Sequence, residues 1–145
     1  MPVLYLAFII GMILVDIGGD ASRLSHASTQ AAEASALGSN MLVVRNALQA
    51  YLRANPAASG QIALPDLGLP GWFRPRAELR TWVQAGRTYV YYTPNQPKAD
   101  LVSMLAGTPP GLTGFARNAQ LISPRLQTTT PLPPIIPDNS IVLVS

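Results

Sequence analysis

Hydrophobic positions along the chain fall into three regimes. The first is an unbroken run, VLYLAFIIGMILV, from Val3 to Val15, ended by Asp16. It is apolar all round, with no polar stripe, which suits lipid or a deep interior better than the surface of a small domain. The second regime is periodic. Leu24, Ala27, Ala31, Ala34, Leu37, Met41, Val44, Leu48 and Tyr51 recur at steps of three and four, with no proline between Pro2 and Pro56. That spacing predicts a helix over 22–54 with one apolar face. Its first half is built on alanine, which favours helix but buries little area. Its second half carries larger side chains and is expected to dock on a core. Gly38-Ser39-Asn40 is a candidate interruption, and Asn55-Pro56 the stop.

The third regime begins after residue 55, where 13 of the 14 prolines lie, so the elements there must be short. Arg87 to Thr93, RTYVYYT, between Gly86 and Pro94, is the best strand in the chain. Ile62 to Leu64 and Ala119 to Ile122 are shorter candidates. Pro97 to Leu105 reads as a helix, with proline at its first position, Asp100 in the first turn and Gly107 as the stop. Thr128 to Asp138 is a proline-rich connection, and Ser140 to Val144 a closing strand buried on both faces. The order of elements predicts an α+β fold: an N-terminal membrane helix runs into a long amphipathic helix that packs on a small antiparallel sheet as a two-layer sandwich. The expected organisation is a short membrane anchor at 1–19, an alanine-rich helical stalk at 20–40 and an α+β head at 41–145.

The first run needs a decision between anchor, signal and core. Its apolar side chains are Val3, Leu4, Leu6, Phe8, Ile9, Ile10, Met12, Ile13, Leu14 and Val15. As a helix, Met1 to Ile17 spans about 25 Å, somewhat short of the roughly 30 Å hydrocarbon core, a deficit that local thinning covers. A retained anchor is the first expectation. A cleaved signal, ending near Ala21, and a buried or interfacial helix are the alternatives. Lysine and arginine are absent before the run and only Arg23 follows closely, so the positive-inside rule gives no firm orientation.

Charge is sparse, at 12% of residues, and uneven. Residues 1–40 hold Arg23 against Asp16, Asp20 and Glu33, a net −2, whereas residues 41–145 hold nine Lys/Arg against Asp66, Glu78, Asp100 and Asp138, a net +5. Mild basicity of this kind is no signature of nucleic-acid binding. The chain has no cysteine and one histidine, His26, which excludes disulfides and leaves no material for a thiolate or histidine metal centre. The seven acids are dispersed, and neither a P-loop, a nucleophile elbow nor a dinucleotide fingerprint occurs. Catalytic residues, cofactors and metals are therefore expected to be none, and the protein is not expected to be an enzyme.

The sharpest local feature is WFRPRAELRTW, Trp72 to Trp82. Tryptophan and arginine are the residues that dominate protein interfaces, so Trp72, Phe73, Arg74, Arg76 and Arg80 form the candidate partner surface. Base stacking is the other functional reading, and aromatic core beside a solvated arginine face is the plain structural one. The exposed side of Arg87 to Thr93 and the edge of the sheet are further contact candidates.

Several phrases carry a resemblance: LVVRNALQAYLRANP at the end of the long helix, then GRTYVYY, KADLVSML, GFARNAQLISP and the closing IPDNSIVLV. In this order, behind a short apolar N-terminus, the chain resembles the PilM proteins of thin, type IVb pilus systems encoded by conjugative plasmids. An unrelated actin-like cytoplasmic protein shares that name, but it is longer and carries a nucleotide-binding motif absent here. The resemblance implies a single-pass protein of the bacterial inner membrane with a periplasmic C-terminal domain, acting in a type II secretion-like apparatus that builds the pilus base. It implies as partners other inner-membrane and secretin-associated components, the pilin among the options, together with the lipid bilayer and no nucleic acid; a homo-oligomer is a further option. It brings no site residues. A minor pilin or pseudopilin built into the filament is the alternative, although no basic leader precedes the apolar run and no glutamate stands five residues into it. A secreted binding protein or enzyme with a cleaved signal is the third reading.

Overall fold

The computed structural model describes residues 28, 29, 31–95, 112–123, 127 and 129–145. The expected anchor at Val3 to Val15, His26 and the expected helix from Pro97 to Leu105 lie outside the described residues. The chain divides into two compact units, Met1–Glu33 and Ala34–Ser145. Of the first, residues 28, 29 and 31–33 are described, and all are helical. Among the described residues no helix is long and apolar enough to cross a membrane.

The second unit opens with helix α1, residues 34–54. Ala34, Leu37, Met41, Val44 and Leu48 are all buried, one continuous face at helical spacing. At about 2 kcal/mol for each of the four larger side chains, that face is the main reason the helix holds. It also explains where the second unit starts and why one expected break is absent. The unit opens at Ala34, since Ala34 and Leu37 already belong to the core. Gly38-Ser39-Asn40 does not interrupt the helix, since a break there would carry Leu37 and Met41 out of register, at more cost than the roughly 1 kcal/mol that a helical glycine forfeits. The Asn40 side-chain amide donates to the Ala36 carbonyl at 3.0 Å. At the far end the Asn55 amide N–H and side chain both donate to the Tyr51 carbonyl, at 2.8 and 3.1 Å, and Pro56 forbids continuation.

Six strands follow: β1 (Leu79–Gln84), β2 (Arg87–Tyr92), β3 (Leu112–Arg117), β4 (Gln120–Ile122), β5 (Thr129–Pro131) and β6 (Ile141–Val144). They form one sheet in the order β1-β2-β6-β3-β4-β5, antiparallel throughout. Within the sheet, a hairpin (β1, β2) and a meander (β3, β4, β5) are thus joined by β6, which lies between β2 and β3. The two tight hairpins turn on positive φ at both central residues, Ala85 and Gly86 in one (51° and 74°), Asn118 and Ala119 in the other (52° and 56°). These angles match the right-handed twist of the flanking strands. The expected strand at Ile62 to Leu64 is instead a loop leading into a 3-10 turn, Leu64–Leu67, because Pro65 cannot donate to a strand ladder.

Strand register divides the sheet's side chains into two layers. On the helix side, Leu79, Val83, Val90, Ile141 and Leu143 join the buried face of α1. On the other side, Tyr89, Tyr91, Val142, Val144, Ala116 and Leu121 form a second core, capped by Leu132 and Ile136 of the proline-rich segment. Both faces of the sheet are therefore buried, in keeping with the closing strand expected to be buried on both sides. The loop before β1 is held along that strand. Gly60 and Val83 exchange backbone hydrogen bonds of 2.7 and 2.9 Å, and the buried Thr81 hydroxyl donates to the Ile62 carbonyl.

Candidate docking surface

The expected partner surface lies mostly in the loop that links the 3-10 turn to β1. Gly68, in the left-handed region at φ 61°, ends the turn after buried Leu67. Pro70 then opens a tight turn closed by the Phe73 N–H donating to the Pro70 carbonyl at 2.9 Å. Gly71 and Trp72 occupy its corner. The turn decides which aromatic faces water: Phe73 is 8% exposed and Trp72 77%. Their rings meet edge to face, centroids 6.0 Å apart at 83°, so the buried ring steadies the exposed one.

The five predicted residues do not make one patch. Trp72 and Arg74 are exposed, and Arg76 is half-buried, its carbonyl accepting from the Leu79 N–H at 3.1 Å. Phe73 is core, packed with α1 and the helix side of the sheet, so its ring is not available to a partner. Arg80 is exposed but lies on the opposite face of β1 from Leu79, Thr81 and Val83. Its guanidinium donates to the Ala77 carbonyl at 3.2 Å. The surface therefore reduces to Trp72, Arg74 and Arg76.

One further candidate is corrected. Arg87 to Thr93 offers no continuous exposed side, because β2 is flanked by β1 and β6 and buries Tyr89, Val90 and Tyr91. At the sheet's edges, Gly60 pairs with β1 at Val83 alone, and among the described residues β5 pairs with β4 on one side. Sequence reasoning also missed an exposed hydrophobic residue, Ile135, at 51%. The signal was available in Pro133-Pro134-Ile135-Ile136, which has the form of Pro70-Gly71-Trp72-Phe73.

Arg80 lies across the ladder from Tyr91 and bears on its titration. Burial pushes the Tyr91 phenol above its ordinary value of 10.0, and the Arg80 cation offsets part of that. A phenol raised by folding contributes stability that is full below the unfolded value, about 10, and lost as pH rises through the folded one. The melting temperature is therefore expected to fall as pH is raised above about 10, and to fall less in Tyr91→Phe. Thermal melts of both proteins across that range are the check, and equal slopes would remove Tyr91 as the cause.

The PilM family model matches residues 8–144. A crystal structure of a protein described as PilM from Escherichia coli B7A is 25% identical, covering 80% of this chain and 94% of that one, with a TM-score of 0.58. One described as PilM from Pseudomonas aeruginosa 2192 is 37% identical, covering 77% of this chain and 92% of that one, with a TM-score of 0.48. Comparison with curated proteins finds no match.

Proposed function

The chain belongs to the PilM family, and from that premise we propose that it is a non-catalytic component of the apparatus that assembles a type IVb pilus. In this reading the N-terminal apolar run, Val3 to Val15, holds the chain in the bacterial inner membrane as a single-pass anchor, and the α+β head stands in the periplasm. The head works by tethering. Anchoring confines it to the membrane surface, where a modest interface gains from high effective concentration. Its partners are the other inner-membrane and secretin-associated subunits, in a machine serving conjugation.

The observation that carries this proposal is Trp72. A tryptophan 77% exposed at the corner of a hydrogen-bonded turn, steadied by Phe73 and flanked by Arg74 and Arg76, has the composition and rigidity of an interface hot spot. The test is co-isolation of full-length tagged protein from the inner-membrane fraction of cells that express the complete apparatus. Trp72→Ala with Arg74→Ala is expected to cut recovery of the other pilus-assembly subunits about tenfold, the scale of losing one hot spot. Both side chains lie outside the core, so the melting temperature should hold. Undiminished recovery would retire this surface, and absence of the tagged chain from the membrane fraction would retire the anchor.

A further inference from the structure

An open sheet has two edges, and each edge can recruit a strand from another chain. In this sheet the two edges are treated differently. At β1, Val83 exchanges backbone hydrogen bonds with Gly60 at 2.7 and 2.9 Å. By the alternation of an antiparallel ladder, Leu79, Thr81 and Val83 therefore turn their backbone groups away from β2. The chain's own loop meets all of them. The Leu79 N–H donates to the Arg76 carbonyl at 3.1 Å, the Thr81 hydroxyl donates to the Ile62 carbonyl, and Leu79, Thr81 and Val83 are all buried. A strand from outside has no access there.

The other edge is β5. It is three residues long and pairs with β4 on one side; among the described residues no strand lies on its other side. Its orientation follows from two contacts. Thr130 faces Leu121, and the Leu132 N–H donates to the Ala119 carbonyl at 2.8 Å. Thr130 and Leu132 thus turn toward β4, whereas Thr129 and Pro131, both exposed, turn outward. Proline stands where it removes a donor that β4 does not need. The same ring at position 130 or 132 would cost the ladder a bond. Outward, β5 offers the carbonyls of Thr129 and Pro131 and a single donor, the Thr129 N–H.

A second copy of this chain is the strand most certain to be near, since it is always present at the same concentration. Two β5 strands laid antiparallel about Thr130 would set each Thr129 opposite the other copy's Pro131, the closed two-fold arrangement in which identical surfaces meet. Each such pair wants two exchanged bonds. Pro131 can accept from Thr129 but cannot donate in return, and its ring fills the space that the incoming carbonyl needs. We infer that Pro131 is a guard residue: it closes the uncovered edge to strand addition, so that copies of the head do not join through β5 into one continuous sheet. This holds whether or not Trp72 is a docking point.

The chain has no cysteine, so Thr130→Cys serves as a single reporter. In the two-fold pairing this position faces itself across a non-hydrogen-bonded pair, where Cα atoms lie about 4.5 Å apart, within disulfide reach. Purified full-length chain carrying Thr130→Cys is oxidised under mild conditions, and linked dimer is followed on non-reducing gels. With Pro131 in place, linkage should be slow. Pro131→Thr and Pro131→Ala each restore the N–H and should raise the initial rate about tenfold or more, the scale of two regained hydrogen bonds. Adding Thr129→Pro to Pro131→Thr moves the missing donor to the other outward position and should return the rate to its starting level. Thermal melts of every variant accompany the assay and should stay cooperative, because Pro131 is exposed. Rapid linkage with Pro131 still in place would overturn the guard role. So would folded Pro131→Thr and Pro131→Ala chains that link no faster, or that dimerise without linkage at position 130. Loss of cooperative melting in both would mean that Pro131 shapes the fold instead of guarding its edge, and would overturn the role as well.

Discussion

Deleting Ser140–Ser145 is expected to abolish the cooperative fold of the head. Ile141, Val142, Leu143 and Val144 are all buried, and they serve both layers: Ile141 and Leu143 complete the helix-side core, Val142 and Val144 the other. At about 2 kcal/mol per side chain, the strand withdraws roughly 8 kcal/mol of burial, comparable to the whole net stability of a typical domain. The ladders add to this. β6 pairs with β2 on one side and β3 on the other, so its loss exposes two strand edges at once. Beyond the strand, Ser145 exchanges backbone hydrogen bonds with Thr88 at 2.9 and 3.0 Å, and the Ser140 carbonyl accepts from the Ala116 N–H at 2.8 Å. The buried Ser140 hydroxyl meets that of Thr93 at 2.8 Å. Circular dichroism should show no cooperative thermal transition for the truncated chain. Val142→Ala is the graded control: it should fold, at a cost of about 2 kcal/mol for the methyl groups removed and the space they leave. A sharp transition in the truncated chain would mean that the hairpin and the meander hold together without β6.

The second large effect is expected at Gly114. This glycine lies inside β3, where the chain at the end of β4 crosses closely. A Cβ built there meets the Ile122 carbonyl carbon at 2.8 Å and Leu121 Cδ1 at 3.1 Å, with the Ile122 carbonyl oxygen nearer still. The closest obstacle is backbone, which cannot swing away as a side chain end can. Gly114→Ala should therefore cost about 3 kcal/mol, the upper part of the usual overpacking range. Gly114→Val should cost more, because two further methyl groups follow the first. Urea unfolding would measure both. A loss under about 1 kcal/mol for alanine would mean that β4 can draw back from β3 without disturbing Leu121.

Both positions show what local sequence pattern can and cannot reveal. The helix was legible because Leu37, Met41, Val44 and Leu48 repeat at the spacing that one buried face demands. β2 and β6 were legible as dense β-branched and aromatic runs. β1 was hidden although Leu79, Thr81 and Val83 alternate inward, because Arg80 and the nearby arginines drew the segment toward a surface reading. β3 was hidden by Gly114, which weakens a strand pattern for the very reason the fold requires it. Neither hairpin carries the Asn-Gly signal, since Ala85-Gly86 and Asn118-Ala119 each supply only half of it. The place of β6 between β2 and β3 was beyond any window, because it pairs residues far apart in the chain. The docking surface was half legible. Tryptophan and arginine marked the right loop, but two adjacent aromatics look alike in sequence, and only the turn from Pro70 to Phe73 sends one inward and the other out.

The central place of β6 also has a consequence in time. A ribosome makes the hairpin first, the meander next and the strand that joins them after both. Until Ile141 to Val144 have emerged, β2 and β3 each wait with an open side and the buried face of α1 has an incomplete floor. The long separation in sequence between β2 and β6 makes closure a late and slow event. A nascent chain that stalls before residue 140 would present two unsatisfied strand edges, the form most exposed to pairing with the wrong neighbour. The head is therefore a structure that commits late, and its yield in a cell should depend on how quickly its last strand is delivered.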